Sequence, residues 1–244
     1  MVVIDLNSPV STELNDDFNA ALDAAELEHE REEKRRDYLG ASGIGSECPR
    51  KVQFDWQRDS VFPARTRRIF ERGHASEEKL AASMRRAGFQ IERGTPGTEF
   101  SMVGGLFMGH CDGKIHGGPR IRTLAYPCLW EHKCLGDAGW KKIEKYGLHA
   151  AYPVYFDQCQ IYMGYLGLDE NPALFTAENA NTCHVLSLTV AFDAQAAQQA
   201  SDRAVAIIRA TQAGELLPRI TEKGPSDWRC KMCSHSPYCW SLNH

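Results

Sequence analysis

The chain has no run of about 18 consecutive apolar residues, which excludes a helix of the kind that spans a bilayer. It shows no low-complexity tract and no internal repeat. Its first residues, MVVIDLNSPVSTELNDD, lack a basic stretch leading into an apolar one, so no secretory leader is expected and the cytoplasm is the expected compartment. There the nine cysteines are expected to be thiols or metal ligands, since a reducing compartment disfavours disulfides. Excess positive charge is also missing: the net charge is −4. That acidity is concentrated, because residues 13–39 hold ten acidic and four basic side chains and the remainder from 40 onward is mildly basic. A local phosphate-binding surface is therefore permitted.

What is present reads as a globular chain of 244 residues, long enough to bury a substantial core. Residues 1–12 read as irregular. A charged helix from Asp16 to about Leu39 carries only a thin apolar stripe (Phe18, Leu22, Ala25, His29) and is expected to be peripheral. Gly40 to Gly45 breaks it, and Cys48-Pro49 opens another helix, since proline suits the first helical position. A long helix follows over about Ala64–Ala87. On it His74 and Glu77, three residues apart, are expected to face each other and lean inward, with Glu78 further out.

Strand signals come next: Gln90–Arg93, then Thr98–Val103 turning through Gly104-Gly105 as a two-residue hairpin into Leu106–Ile115. Asp112 lies inside that last strand, where aspartate is depleted and needs a reason. The run Cys128–Leu135 carries Trp130, Glu131, His132 and Lys133. Alternation along a strand puts Glu131 and Lys133 on one face and Trp130 and His132 on the other. Alone, a carboxylate and an amine so spaced read as a surface ion pair. Helices over 137–146 and 152–165, strands over 173–177 and 183–192, and a helix over 193–212 complete the body. The second of those helices carries Gln158 and Tyr162 on one face. The order predicts a mixed sheet flanked by helices, an α/β (α+β) class rather than a doubly wound parallel array.

The tail holds Cys230, Cys233 and Cys239 in C-x2-C-x5-C spacing, a metal-site pattern. The fourth ligand is either His235, which favours zinc, or a distant cysteine, which permits zinc or an iron–sulfur cluster. Cys111, Cys128, Cys134, Cys159 and Cys183 are expected to fill the core.

Several motifs in order carry a resemblance: Cys48-Pro49-Arg50-Lys51, Gly73-His74-Ala75-Ser76-Glu77, Gly109 to Gly113, Glu131-His132-Lys133, Gln158 with Tyr162, and the three-cysteine tail. Together they resemble the PD-(D/E)XK nuclease superfamily, in its RecB-like branch that includes CRISPR-adaptation nucleases. Cys111 stands where the superfamily's name has proline, and the acidic N-terminal helix has no counterpart.

The resemblance implies a restriction-endonuclease-like core over residues 41–240, preceded by an acidic extension, 1–40. It implies that Cys48 joins Cys230, Cys233 and Cys239 around a [4Fe–4S] cluster, which ties residues 41–60 to 225–240. It implies Mg²⁺ or Mn²⁺ held by His74, Asp112, Glu131 and the backbone carbonyl of His132, with Glu77 as a further or supporting ligand. Lys133 would orient or activate the attacking water, and Gln158 and Tyr162 would line the DNA path.

Arg68 and Arg72 on one side, and Lys141, Lys142 and Lys145 on the other, are candidate backbone contacts, with Trp140 and Tyr146 as stacking residues. The expected function is a DNA exonuclease acting on single strands or free ends in recombination, repair or phage DNA processing. The alternatives are a non-cleaving DNA-binding or assembly protein on the same fold and a zinc-bearing module that recruits a partner.

Overall fold

The computed structural model describes residues 12–32, 36–58 and 62–242; residues 1–11, read above as irregular, lie outside them. The elements are α1 (Thr12–Glu32), β1 (Leu39–Gly40), α2 (Pro49–Gln57), α3 (Ala64–Arg86), β2 (Gln90–Glu92), β3 (Glu99–Met102), β4 (Phe107–His110), β5 (Gly113–Gly117) and β6 (Cys128–Leu135). Then come α4 (Asp137–Ala151), α5 (Pro153–Leu166), β7 (Ala173–Asn179), β8 (Val185–Val190), α6 (Ala194–Gln212), α7 (Trp228–Lys231) and α8 (Ser236–Ser241). No described helix is long and apolar enough to cross a membrane.

The strands form two sheets. Five strands run β2-β5-β6-β7-β8, with β6 and β7 parallel and the other pairs antiparallel. Three run β1-β4-β3, with β1 parallel to β4. This is the mixed α/β architecture expected, but divided. The stretch read as one strand over 106–115 is two, β4 and β5, and each belongs to a different sheet. The break falls at Cys111-Asp112, so Asp112 does not occupy a strand interior at all. The hairpin before it also differs. Met102 pairs with Phe107, so the loop has four residues, not two, and Val103, Gly104 and Gly105 all take positive φ.

The alternation read from β6 holds. Cys128 and Trp130 pack under α3 with Ala81, Met84, Ile115 and Leu174 in one core. The opposite face of the sheet meets α4, α5 and α6 in a larger core that includes Leu129, Ile143, Ile161, Phe175 and Ile207. Cys111, Cys128 and Cys159 are buried as expected, whereas Cys134 is half-buried and Cys183 is exposed. Cys183 sits in the turn between β7 and β8 at φ 60°, its amide bonded to Asn179 O at 2.8 Å, so the following strand starts only at Val185.

The acidic helix lies against α3 through Asp23 and Arg68 (2.8 Å), with Leu14 and Phe18 well exposed. Its described span is Thr12–Glu32, and Leu39, expected at its end, instead pairs with Phe107.

Candidate active site

The site forms where β6 loses a neighbour. Antiparallel pairing of β5 with β6 ends at Gly113 opposite Trp130, while pairing with β7 continues to Leu135. The chain leaves the sheet at Asp112, and its side chain takes over the missing ladder contact: the His132 amide donates to Asp112 Oδ2 at 2.6 Å. Neighbours in an antiparallel ladder use the N–H and C=O of one residue on the same side. The His132 carbonyl therefore leaves β6 toward the Asp112 side as well.

On the larger-core face of β6, Glu131 is fully enclosed and Lys133 Nζ donates to its Oε1. Glu131 Oε2 is buried with no hydrogen-bond partner. Tyr155 of α5 covers the lysine, its ring centre 5.3 Å from Nζ. Gln158 and Tyr162 lie on the same helix, Gln158 Nε2 donating to Tyr162 Oη at 3.4 Å. Both are buried, so they support the site from below and do not themselves line an open DNA path.

From the other side, α3 brings Glu77, whose Oε1 accepts from Arg93 Nη2. Arg93 also reaches Glu78 Oε1 at 2.8 Å and donates from Nε to the Asp112 carbonyl at 2.8 Å. Glu77 leans inward as expected and Glu78 is exposed. His74 is exposed on α3 rather than turned inward, within electrostatic reach of Asp112.

Electrostatics match this crowding. Burial, then the neighbouring Asp112 charge, push the Glu131 carboxyl up to about 8 although Lys133 opposes both. The same two causes push Glu77 up to about 7 against the pull of Arg93. Asp112 is raised by burial, opposed by Lys133 and the His132 amide. Burial works against the Lys133 charge, but Glu131 and Asp112 overcome it and hold the ammonium above the ordinary lysine range. Burial, with Lys133 and Arg93 nearby, drives the His132 ring down to about 4, so it is neutral. Three carboxylates thus share two cations and leave one buried oxygen atom unpaired, a donor set that suits a hard divalent cation. Among the described residues no three such side chains converge at metal-binding distance. Glu77 turns to Arg93 and Lys133 holds one oxygen of Glu131.

The remaining candidates are dispersed. Lys141 pairs with Asp137 (2.8 Å), and Lys142 donates to the Ala151 carbonyl (2.7 Å). Lys145 lies over the Tyr146 ring, and Arg72 is exposed. Trp140 is not available for stacking: half-buried, it donates from Nε1 to the Ala177 carbonyl at 2.9 Å.

Cys48, Cys230, Cys233 and Cys239 line one cavity of about 430 Å³, all four as free thiols. Cys48 stands at the N-terminus of α2 and is close enough to Cys233 to act on it electrostatically. His235, one of the two open choices for a fourth ligand, is buried with Nε2 2.8 Å from Asp55 Oδ1.

Sequence reasoning left Arg93, Ser76, Thr176, Glu178 and Tyr155 without a role. Ser76 stood inside a quoted motif. Thr176 and Glu178 gain meaning only from strand order, through the parallel pairing of His132 with Thr176 and of Cys134 with Glu178. Arg93 gains it by meeting Glu77 and the Asp112 carbonyl, and Tyr155 by covering Lys133.

This mixed sheet, interrupted at an acidic residue and flanked by α3 and α5, has an architecture similar to that of solved alkaline exonucleases. The chain is similar in structure to the alkaline exonuclease LHK-Exo from Laribacter hongkongensis, with TM-score 0.52 and 15% identity over 80% of this chain and 93% of that one. It is likewise similar to LHK-Exo in complex with dAMP, with TM-score 0.51 and 16% identity over the same shares. No family model and no curated protein matches the chain. At this identity what is shared is the architecture.

Proposed function

We propose that the chain is a metal-dependent DNA nuclease of the RecB-like PD-(D/E)XK type, acting as an exonuclease on single strands or free ends. The observation that carries this reading is the enclosed Glu131, with one oxygen paired to Lys133 and the other unpaired, next to an Asp112 that replaces a missing strand. Phosphodiester hydrolysis adds negative charge to an already anionic substrate, and such a cluster is built to hold positive charge at that point. Asp112, Glu131 and the His132 carbonyl would hold Mg²⁺ or Mn²⁺, with His74 and Glu77 completing the set; the imidazole favours Mn²⁺. When bound, the ion supplies Lewis acidity and a more acidic water.

The chain's own groups do the rest. Lys133 keeps its proton in the metal-free protein, so it donates a hydrogen bond and charge to the attacking water or the phosphate. Tyr155, Tyr162 and Gln158 close the underside of the site and keep bulk water from Glu131. Arg93 holds Glu77 and the Asp112 backbone in place. Arg72 and Lys145, both exposed, would contact the DNA backbone.

The four cysteines share one cavity, which supports a structural [4Fe–4S] cluster with zinc as the alternative; metal analysis and visible absorption of anaerobically purified protein separate the two. The resemblance to alkaline exonucleases favours digestion from ends. End-labelled single- and double-stranded DNA, linear and circular, incubated with Mg²⁺ or Mn²⁺, tests the whole reading. Mononucleotide release from linear but not circular DNA is expected. DNA bound but uncut would instead show a non-cleaving binding protein.

A further inference from the structure

His132 serves the site with its backbone, yet its ring lies on the opposite face of β6 and is held at both nitrogens. Nδ1 is 3.0 Å from Thr176 Oγ1 and Nε2 is 2.8 Å from Ser76 Oγ. The proton positions follow from the neighbours. Ser76 Oγ donates to Glu178 Oε2 at 2.6 Å, and a carboxylate only accepts, so Ser76 Oγ receives the proton of His132 Nε2. Trp130 Nε1 donates to Thr176 Oγ1 at 2.9 Å. The single threonine proton then has two acceptors in reach, the Glu131 carbonyl at 3.4 Å and the unprotonated His132 Nδ1 at the shorter 3.0 Å, which takes it. Donors and acceptors then run in one direction from Trp130 to Glu178, with every buried group satisfied. This is not a hydrolytic triad: Ser76 is buried, and its proton is aimed at the carboxylate rather than at the imidazole.

Ser76 is the neighbour of Glu77 and lies two residues after His74. Residues 74 and 77 share one face of α3, and pinning Ser76 to β6 and β7 sets how far that face turns toward Asp112. We propose that Ser76, His132 and Glu178 form a positioning device that locks α3 onto the sheet and so presents His74 and Glu77 to Asp112. The inference rests on the nuclease reading of the carboxylate cluster. Its side chains touch neither substrate nor metal; they act through the residues beside them and, at His132, through the backbone that carries the ring.

The test is Mn²⁺ binding to the DNA-free protein, followed by electron paramagnetic resonance of the free ion, with thermal unfolding in parallel. Ser76→Ala and Glu178→Ala are each expected to raise the Mn²⁺ dissociation constant about tenfold, and the double variant no further, because both break one chain. Glu178→Gln, which keeps an acceptor oxygen for Ser76, is expected to bind Mn²⁺ like the parent. Tyr165→Phe removes the Tyr165–Ser201 hydrogen bond (2.6 Å) from the other core and should leave the constant unchanged. Glu178 is only half-buried, so Glu178→Ala carries the test if Ser76→Ala does not fold. Parent-like Mn²⁺ binding in the alanine variants, or equal weakening in Tyr165→Phe, overturns the inference. A parent that takes up no Mn²⁺ overturns the nuclease reading itself, and the inference with it.

Discussion

A buried carboxylate is expensive unless something pairs with it, and Glu131 has half of what it needs. Lys133 satisfies one oxygen, and the other is buried and unpaired. Glu131→Gln keeps the shape but removes the charge that a cation requires, so DNA cleavage should fall about a hundredfold or more while the circular dichroism spectrum and unfolding profile stay native-like. Lys133→Met should lose activity to a similar degree, measured as nucleotide release from labelled DNA at saturating Mn²⁺. Activity retained in either variant would be incompatible with the proposed site. At this scale the sequence was informative. Alternation put Glu131 and Lys133 on one face and Asp112 looked out of place in a strand, but the three could be named as a site only through the ordered motifs that resemble a nuclease superfamily. Arg93 could not, because its role arises from meeting Glu77 and the Asp112 backbone across strands that no local pattern pairs.

Among the elements, β4 is the one pressed hardest against the site's support. A side chain on Gly109 would come within 2.6 Å of Tyr162 Cε1, 2.7 Å of Phe100 Cε1 and 2.8 Å of the Ala41 Cβ. Gly109→Ala should therefore cost about 1–3 kcal/mol by overpacking, read by denaturant unfolding, and should lower activity through the displaced Tyr162. Most helices and strands were legible within a few residues, since their periodicity is local. The division of 106–115 was not. Apolar alternation runs straight through it, and only Gly109 and Gly113 around Asp112 hinted that the chain changes sheets. The cysteine-bearing tail meets α2 through buried His235 and exposed Asp55, 2.8 Å apart, and through Phe54, which lies edge-on to both His235 and Tyr238. Burial alone would raise the Asp55 carboxyl, but His235 and Lys51 hold it below its ordinary range. Asp55→Ala should destabilise this contact by about 1–3 kcal/mol and lower the iron or zinc retained per chain, measured by elemental analysis.

For the whole molecule, the cluster makes stability depend on pH in an uncommon direction. Glu131 and Glu77 have ordinary values of 4.5 and stand at about 8 and about 7 in the fold. Across that window the folded, metal-free protein keeps protons that the unfolded chain has released, so its stability falls as pH rises. Melting temperatures in chelator should decline from about pH 5 to pH 8. Mn²⁺ should restore them most at the alkaline end, where the carboxylates are free to bind it. Glu131→Gln should flatten most of the decline.

The His132 amide proton is retained by a side chain rather than by a neighbouring strand. Its solvent exchange is therefore governed by the state of one carboxylate, not by the breathing of the sheet. In an amide-resolved exchange experiment this single position should respond to cation binding at Asp112 while its neighbours, paired to β7, stay constant. The fold thus contains a built-in spectroscopic reporter, readable without substrate and without turnover.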